Sequence, residues 1–337
     1  MYNSNMNFSD EIKNYAREIG FHIVKIIPVC ALKSDGEYFQ DWLDDGFAGD
    51  LDYMKKNVEQ RSDPLKILPN AKSIICLAMN YYQDVEEDSH SETGRFGKVS
   101  RYAWGKDYHI LIEKKLKKLR AFIIEKARIN SNVNLQPNDF KIYSDAGPLL
   151  ERAYAVRAGI GVIGKNGMLI TKEYGSWVFL AELLTSLELD FDEIVDEKKD
   201  EFSSCGTCSR CMEACPMAAI SEPGKIDARK CLSYQTIENR GEISDEVYEK
   251  MGDRIFGCDI CQEVCPHNCR AKKTDVEEFL QHRAGPKLDI DELEEMGIQA
   301  DGQNKFDEKY SGSPIRRTGL KGLIRNAKNM LRSARRG

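Results

Sequence analysis

Hydrophobic and polar positions along the first half of the chain alternate between two periods. Residues 9–20 read as a helix, with Ser9 ahead of Asp10 and Glu11 as its capped start. "FHIVKIIPV" reads as a strand, and "AKSIICLAMNYY" as a buried strand set off by Pro69–Asn70 and a polar loop. "YHILIEKKLKKLRAFIIEKA" places Ile112, Leu116, Leu119 and Ile123 at helical spacing beneath a lysine-rich outer face. "FKIYSDAG" is a strand entering a turn. "PLLERAYAVRAG" is a helix with Pro148 in its first turn and Gly159 beyond its end. "GMLIT" and "SWVFLAELLT" are strands around a glycine turn. This mixture, running to about residue 185, predicts an α/β domain.

Beyond it the pattern changes. "LELDFDEIVDEKKDEF" reads as an acidic surface linker, and residues 271–310 as polar and irregular. "GSPIRRTGLKGLIRNAKNMLRSARRG" reads as one amphipathic helix with Leu320, Leu323, Ile324, Ala327 and Leu331 on one face. The expected organisation is α+β and α/β multidomain: residues 1–190, a cysteine module over 200–270, and a linker with a basic helical segment over 271–337.

Composition sharpens this picture in three places. No stretch reaches the roughly 18 uncharged apolar residues of a membrane span. The opening has neither a basic n-region nor an apolar h-region, so a cytoplasmic protein without a membrane partner is expected. The net charge of −6 is uneven: residues 311–337 hold eight Lys/Arg and no acid, leaving −14 for the rest. A basic tail on an acidic body points to a polyanionic partner. Of eleven cysteines, nine fall between Cys205 and Cys269. In a cytoplasmic chain that is a ligand pattern rather than a disulfide framework.

"CGTCSRCMEACP" is the C-x2-C-x2-C-x3-C-P run of bacterial ferredoxins, in which three thiolates hold one 4Fe–4S cube and the fourth crosses to another. Zinc sites more often use separated C-x2-C pairs. The echo "CDICQEVCP" has only three cysteines, because Ile255 stands where a fourth would be. Cluster one therefore takes Cys205, Cys208, Cys211 and Cys265. Cluster two takes Cys215, Cys258, Cys261 and one more. Cys231, Cys269, Cys30 and Cys76 are the candidates. Cys30 and Cys76 lie in or beside apolar strands and read as core residues, and Cys269 follows Cys265 at x3. Cys231 lies inside the module and is the choice. Two clusters deliver electrons singly, and the long upstream domain is the expected recipient.

The ordered motifs "RYAWGKDYH", "YSDAGPLLERAYAVRAGIGVIGKN", "EYGSWVFLAE", "CGTCSRCMEACPMAAI", "DARKCLSYQTIE", "GCDICQEVCP" and "GSPIRRTGLKGLIRNA" together resemble the epoxyqueuosine reductase family. The resemblance covers most of the chain and supports Cys231 as the eighth ligand. It implies a nitroreductase-like α/β domain that binds cobalamin, a ferredoxin-like module with two 4Fe–4S clusters, and a shortened HEAT-like helical segment. It implies reduction of epoxyqueuosine to queuosine at the wobble position of a tRNA anticodon stem-loop. An external electron donor and a monomer are expected. A corrinoid iron–sulfur reductase of the dehalogenase kind, acting on a small molecule, is the alternative.

By motif match Asp145 is the proton donor, which requires a raised pKa. The same "SDAGP" is also what a helix N-cap looks like. Arg61, Ser100, Asp145, Arg152, Asn166, Leu169 and Leu180 match cobalamin-lining positions, with Ser233 and Asp259 beside cluster ligands. Taken singly, these residues are ordinary salt bridges, core and turns. The Gly161–Gly164 turn would bring backbone close to the cofactor. "GIGVIG" mimics a dinucleotide fingerprint but opens no long helix after a strand, which argues against NAD. His267 reads as a surface histidine or one touching the cobalamin nucleotide. The family commonly continues into a repeat that grips tRNA, and here the sequence reaches roughly its first helix.

Overall fold

The computed structural model describes residues 7–84, 95–131, 133–195, 202 and 204–334, with side chains at 130, 131 and 329–334 outside the description. In chain order the first part contains α1 (Phe8–Glu18), β1 (Ile23–Pro28), α2 (Lys33–Asp44), α3 (Val58–Ser62), β2 (Ser73–Asn80), β3 (Phe96–Val99), α4 (Tyr108–Ser131), β4 (Phe140–Tyr143), α5 (Glu151–Arg157), β5 (Val162–Ile163), β6 (Leu169–Ile170) and β7 (Val178–Thr185). The cysteine module adds α6 (Arg210–Ala214), β8 (Ile220–Glu222), β9 (Lys225–Ile226), α7 (Leu232–Ile237), α8 (Asp245–Met251), β10 (Arg254–Phe256) and α9 (Ile260–Glu263). The last part holds α10 (Glu277–Leu280), β11 (Lys287–Asp289), α11 (Ile290–Ile298), α12 (Gly302–Lys309) and α13 (Gly319–Ala334).

The main sheet has the order β1-β2-β7-β4, and every neighbouring pair is antiparallel. β2 is buried along its whole length, which explains its unbroken apolar run. One face packs on α1 and α4 through Ile75, Leu77, Ile112, Leu116, Leu119 and Ile123. The other packs on α5 through Ile74, Cys76, Ala78, Tyr154, Ala155 and Leu184. Cys76 is thus a core residue, and Cys30 packs against the same cluster.

Four local expectations change. Asn7, not Ser9, caps α1 by accepting from the Asp10 N–H, while the Ser9 hydroxyl bonds to the Asp190 carboxylate. α5 begins at Glu151, three residues after Pro148. The acidic segment is tied down where it is described: Asp192 accepts from the Ile26 N–H and pairs with Lys13. Residues 271–310 are not irregular. They form α10, β11, α11 and α12, and α11 buries Ile290, Leu293 and Met296. Its apolar stripe was hidden by the acids in "DIDELEEMG" and by how short the flanking elements are.

A second sheet, β10-β3-β11, crosses the expected boundaries near residues 190 and 271. β3 comes from the first part, yet it pairs with β10 of the cysteine module and β11 of the last part. The core beneath it joins Val99 and Trp104 to Phe256, Leu293, Phe306, Leu323 and Ala327. Leu320, Leu323 and Ala327 are buried, and Ile324 is packed against this core, as the helical face predicts. The Leu331 side chain lies outside the described residues. No helix among the described residues is long and apolar enough to cross a membrane.

Candidate functional site

β4 ends at Tyr143 and releases the chain into the Ser144–Leu150 turn. There Asp145 takes a left-handed backbone conformation, φ 63°, which Asp tolerates better than most residues. It does not cap α5. The N-cap position is Leu150, with no side-chain hydrogen bond. The Asp145 carboxylate instead meets the first turn of α4. The Tyr108 hydroxyl donates to Oδ2 at 2.5 Å, and His109 Nε2 lies 3.4 Å from the same oxygen. His109 Nδ1 is held by Asp107 at 2.9 Å. Tyr108 is fixed by a face-to-face stack on Phe179, 4.0 Å between ring centres.

The electrostatics correct one expectation. Asp145 is 61% exposed by its side chain yet sunk in a cleft walled by protein. Desolvation there pushes its pKa up, but the His109 and Tyr108 hydrogen bonds and the His109 and Arg317 charges outweigh it. The carboxyl is held below its ordinary range, not raised. For His109, burial opposes protonation, but Asp107 and Asp145 win and carry it up to about 9. At neutral pH the proton therefore sits on His109, beside an ionised Asp145.

Arg152, on α5, is likewise open to solvent but walled in, and its guanidinium donates to the Gly167 carbonyl. Arg61 is buried: Nη2 donates to the Tyr53 carbonyl at 2.8 Å, and the guanidinium lies over the Phe39 ring. Its Nε is buried without a partner among the described residues. The buried Ser100 hydroxyl makes no hydrogen bond of acceptable geometry there either, although the Asp259 carboxyl is a near neighbour. Gly257, φ 73°, lies so close to Ser100 that a Cβ would collide with its hydroxyl. Asp259 is raised to about 6 by burial, opposed by the Arg101 backbone N–H it accepts from at 2.8 Å. Asn166 is buried and donates to the Cys261 carbonyl at 3.3 Å. Leu169 is core at 3% exposure, and Leu180 packs against the same cluster while its carbonyl accepts from Ser144. Ser233 is half-buried on α7, two residues past Cys231.

The Gly161–Gly164 turn has a reason within the chain as well. "GIGVIG" follows α5 and forms the β5–β6 hairpin, and a Cβ at Gly161 would collide with the Ile170 carbonyl. The glycine serves its own hairpin. Lys165, in that hairpin, donates to the Gly206 and Cys208 carbonyls at 2.6 and 3.1 Å, binding it to the cysteine module.

The cysteines separate into two neighbourhoods. Cys211 feels the charges of Cys205 and Cys265, and Cys265 those of Cys205 and Cys208. Cys231 feels Cys215, Cys258 feels Cys231, and Cys261 feels Cys231 and Cys258 and, last in order, Cys211 of the first group, so the two neighbourhoods adjoin. Burial is the leading cause that raises each of these five thiols, to about 12 for Cys258. Cys269 is exposed, and its Sγ approaches the Pro266 carbonyl at 2.9 Å. No three His, Cys, Asp or Glu among the described residues close around a single ion. A four-iron cube holds its thiolates further apart than one zinc ion does. His267 is exposed and reaches the Ser204 carbonyl at 3.0 Å, on the Cys205 loop. The Tyr102 ring lies 6.3 Å from that of Tyr108, which holds Asp145, and 5.9 Å from that of Phe256, two residues before Cys258.

Sequence reasoning missed four groups around Asp145. Tyr108 and His109 stand inside the quoted "RYAWGKDYH", and an aromatic–histidine pair opening a helix was the available signal. Arg317, paired with Glu238 at 2.7 Å, contributes charge from the far end of the chain. Glu151 accepts the Asp145 backbone N–H at 2.6 Å.

A ferredoxin-type cysteine arrangement packed against a cleft with an acid–imidazole pair defines an iron–sulfur oxidoreductase. Residues 204–268 match the family described as "4Fe-4S double cluster binding domain", and residues 61–145 match "Epoxyqueuosine reductase QueG, DUF1730". The epoxyqueuosine reductase of Atelocyanobacterium thalassa is 37% identical over 96% of this chain and 99% of its own length. The chain belongs to the epoxyqueuosine reductase family. The solved enzyme from Streptococcus thermophilus is 32% identical, with a TM-score of 0.80 over 96% of this chain and 80% of its own. A crystal structure of an epoxyqueuosine reductase with an epoxyqueuosine-modified tRNA stem loop is also 32% identical, with a TM-score of 0.80 over 94% of this chain and 79% of its own.

Proposed function

We propose that this chain reduces the epoxide of epoxyqueuosine in tRNA to the cyclopentene of queuosine, using cobalamin and two 4Fe–4S clusters. The observation that carries the reading is Asp145, set in an open cleft with Tyr108 and His109 on one oxygen, and with Tyr102 packed near both Tyr108 and Phe256, two residues before Cys258. In this reading the first part is a nitroreductase-like cobalamin domain, the cysteine module is ferredoxin-like, and α11–α13 are a short HEAT-like segment. Cluster one takes Cys205, Cys208, Cys211 and Cys265, and cluster two takes Cys215, Cys231, Cys258 and Cys261.

The cleft fits a cofactor rich in amide groups. Arg61 Nε and Ser100 Oγ are buried polar atoms that lack a partner among the described residues, a state that costs about 1–3 kcal/mol each unless something pairs with them. Arg61, Ser100, Arg152, Asn166, Ser233 and Asp259 would hold it, whereas Leu169 and Leu180 support the hairpin and sheet behind. Cobalamin, when bound, supplies a cobalt centre reducible to a strong nucleophile. Converting the epoxide to the alkene takes two electrons and two protons, and the oxygen leaves as water. The chain's own part is proton supply. His109 carries a proton at neutral pH, Asp145 orients it, and the Tyr108 hydroxyl fixes the carboxylate. An alkoxide forming beside Asp145 Oδ2 takes its proton from this pair. A filled cleft excludes water and strengthens the pairing. Electrons enter singly from an external donor.

The test is conversion of epoxyqueuosine tRNA to queuosine tRNA by the cobalamin-loaded, cluster-bearing protein under strong reductant, read by nucleoside mass spectrometry. Intact clusters and bound cobalamin without conversion would reject the assignment.

A further inference from the structure

Beneath Asp145 lies a second acidic arrangement that the proton supply does not use. Glu182 sits in the middle of β7, 1% exposed, with neither carboxyl oxygen hydrogen-bonded among the described residues when the group is taken as an ionised acceptor. An isolated buried carboxylate is among the most costly groups a core can hold. Its register partners are Cys76 on β2 and Tyr143 on β4, so it lies at the strand end that releases the Asp145 turn. By strand alternation it shares the face of Leu184, which is covered by α5. From α5, Glu151 reaches the same spot, and the two carboxyls meet. The other oxygen-bearing contact of Glu151 is outward, where Oε1 accepts the Asp145 backbone N–H at 2.6 Å.

Two ionised carboxylates are both acceptors and cannot bond to each other. One proton between them changes this: a protonated Glu182 donates to Glu151, which satisfies Glu182 and leaves Glu151 free to accept the Asp145 N–H. We infer that Glu151 and Glu182 share a proton and act as the latch that positions the Asp145 turn, Glu182 donating inward and Glu151 gripping the backbone of residue 145. This rests on the proposed reduction only for the consequence in turnover. The grip also explains how a non-glycine residue is kept at φ 63°.

The charged and titratable groups facing the pair are Asp145 from the turn, Arg152 from α5, Arg61 from α3, Tyr108 from α4 and Cys76 from β2. Burial is the first cause raising both carboxyls; the Asp145 charge raises Glu151 further while the Glu182 hydrogen bond lowers it, and the Glu151 charge raises Glu182. The sign follows. A folded state that keeps a proton the unfolded chain releases loses stability as pH rises above the ordinary carboxyl range. Glutamine at 182 has an N–H in place of that proton and cannot lose it.

Two measurements on the chain without tRNA test the latch. Urea unfolding of the parent and of Glu182→Gln is compared from about pH 5 to pH 8. The stability difference is expected to move in the variant's favour as pH rises, and a difference flat across that range overturns the shared proton. Exchange of the Asp145 amide, followed by NMR, is expected to quicken about tenfold or more in Glu151→Ala while α4 amides keep their protection. Unchanged exchange at Asp145 overturns the grip. With epoxyqueuosine tRNA, Glu151→Ala should lower kcat with little change in KM. If parent protein fails to convert the tRNA, the functional reading fails while the two tRNA-free results still decide the latch.

Discussion

The Tyr108 hydroxyl and the Asp145 carboxylate, 37 residues apart, meet at 2.5 Å across the junction of α4 with the turn after β4. After the His109 hydrogen bond, this contact is the next cause that keeps Asp145 ionised in the open cleft. Tyr108→Phe preserves the stack on Phe179 but removes the hydrogen bond. Asp145 should then titrate higher, and turnover should fall about 10- to 100-fold, the worth of a hydrogen bond to a charged group. Kinetics with epoxyqueuosine tRNA and visible spectra of bound cobalamin check it. Unchanged turnover would demote Tyr108 to packing.

Asp145→Asn removes the carboxylate that holds His109. Cobalamin binding should persist and turnover should drop by about 10²–10⁴. Since Asp145 caps no helix, its loss should cost only the pairing with His109 and Tyr108, and a fall in Tm far beyond that of Tyr108→Phe or His109→Gln would point back to a structural role.

His109 is raised to about 9 from an ordinary value of 6.5. Its stabilising contribution is complete below the unfolded value and lost as pH rises through about 9. Turnover should decline on the same alkaline limb as the histidine proton leaves. In His109→Gln the rate should be low throughout, without that limb. An identical alkaline limb in the variant would assign it elsewhere.

Cys231→Ser should reduce the iron content of anaerobically reconstituted protein from two clusters toward one, whereas Cys269→Ser should leave it unchanged. Iron analysis and EPR distinguish the two. The opposite pattern would move the eighth ligand to Cys269.

The basic tail divides by role. Arg325 donates to the Asn239 and Gly241 carbonyls at 2.7 and 2.8 Å and to Gln235 at 3.2 Å. It pins α13 onto the cysteine module, so it is not available to phosphate. Arg317 pairs with Glu238 and Arg316 with Asp307. Lys321 and Lys328 are exposed, while the Arg332 side chain lies outside the described residues. Arg325→Gln should cost about 1.5–3 kcal/mol of stability. Lys321→Gln with Lys328→Gln should weaken tRNA binding and flatten its salt dependence, with stability retained. Equal tRNA affinity across a salt series would remove these lysines from the interface.

Much of this protein was legible along the chain because the relevant signals are local. The 3.6-residue spacing of Ile112, Leu116, Leu119 and Ile123 specifies the buried stripe of α4 without reference to anything it packs on. The thiol spacings from Cys205 to Cys215 indicate cluster chemistry because cubane ligands crowd into one turn. The site was less legible. That Glu182, in an apolar strand, meets Glu151 from α5 depends on strand register and on which face a helix covers, and no local pattern carries either. The same holds for β3, four residues long, whose partners lie more than 150 residues away, and for Arg325, which reads as a surface charge until the carbonyls of the 235–241 segment close around it. Periodicity and spacing set which elements form and which chemistry is present. Burial, pairing and charge around Asp145 were decided only when distant segments packed together, because a proton's position depends on every group within reach rather than on neighbours in sequence.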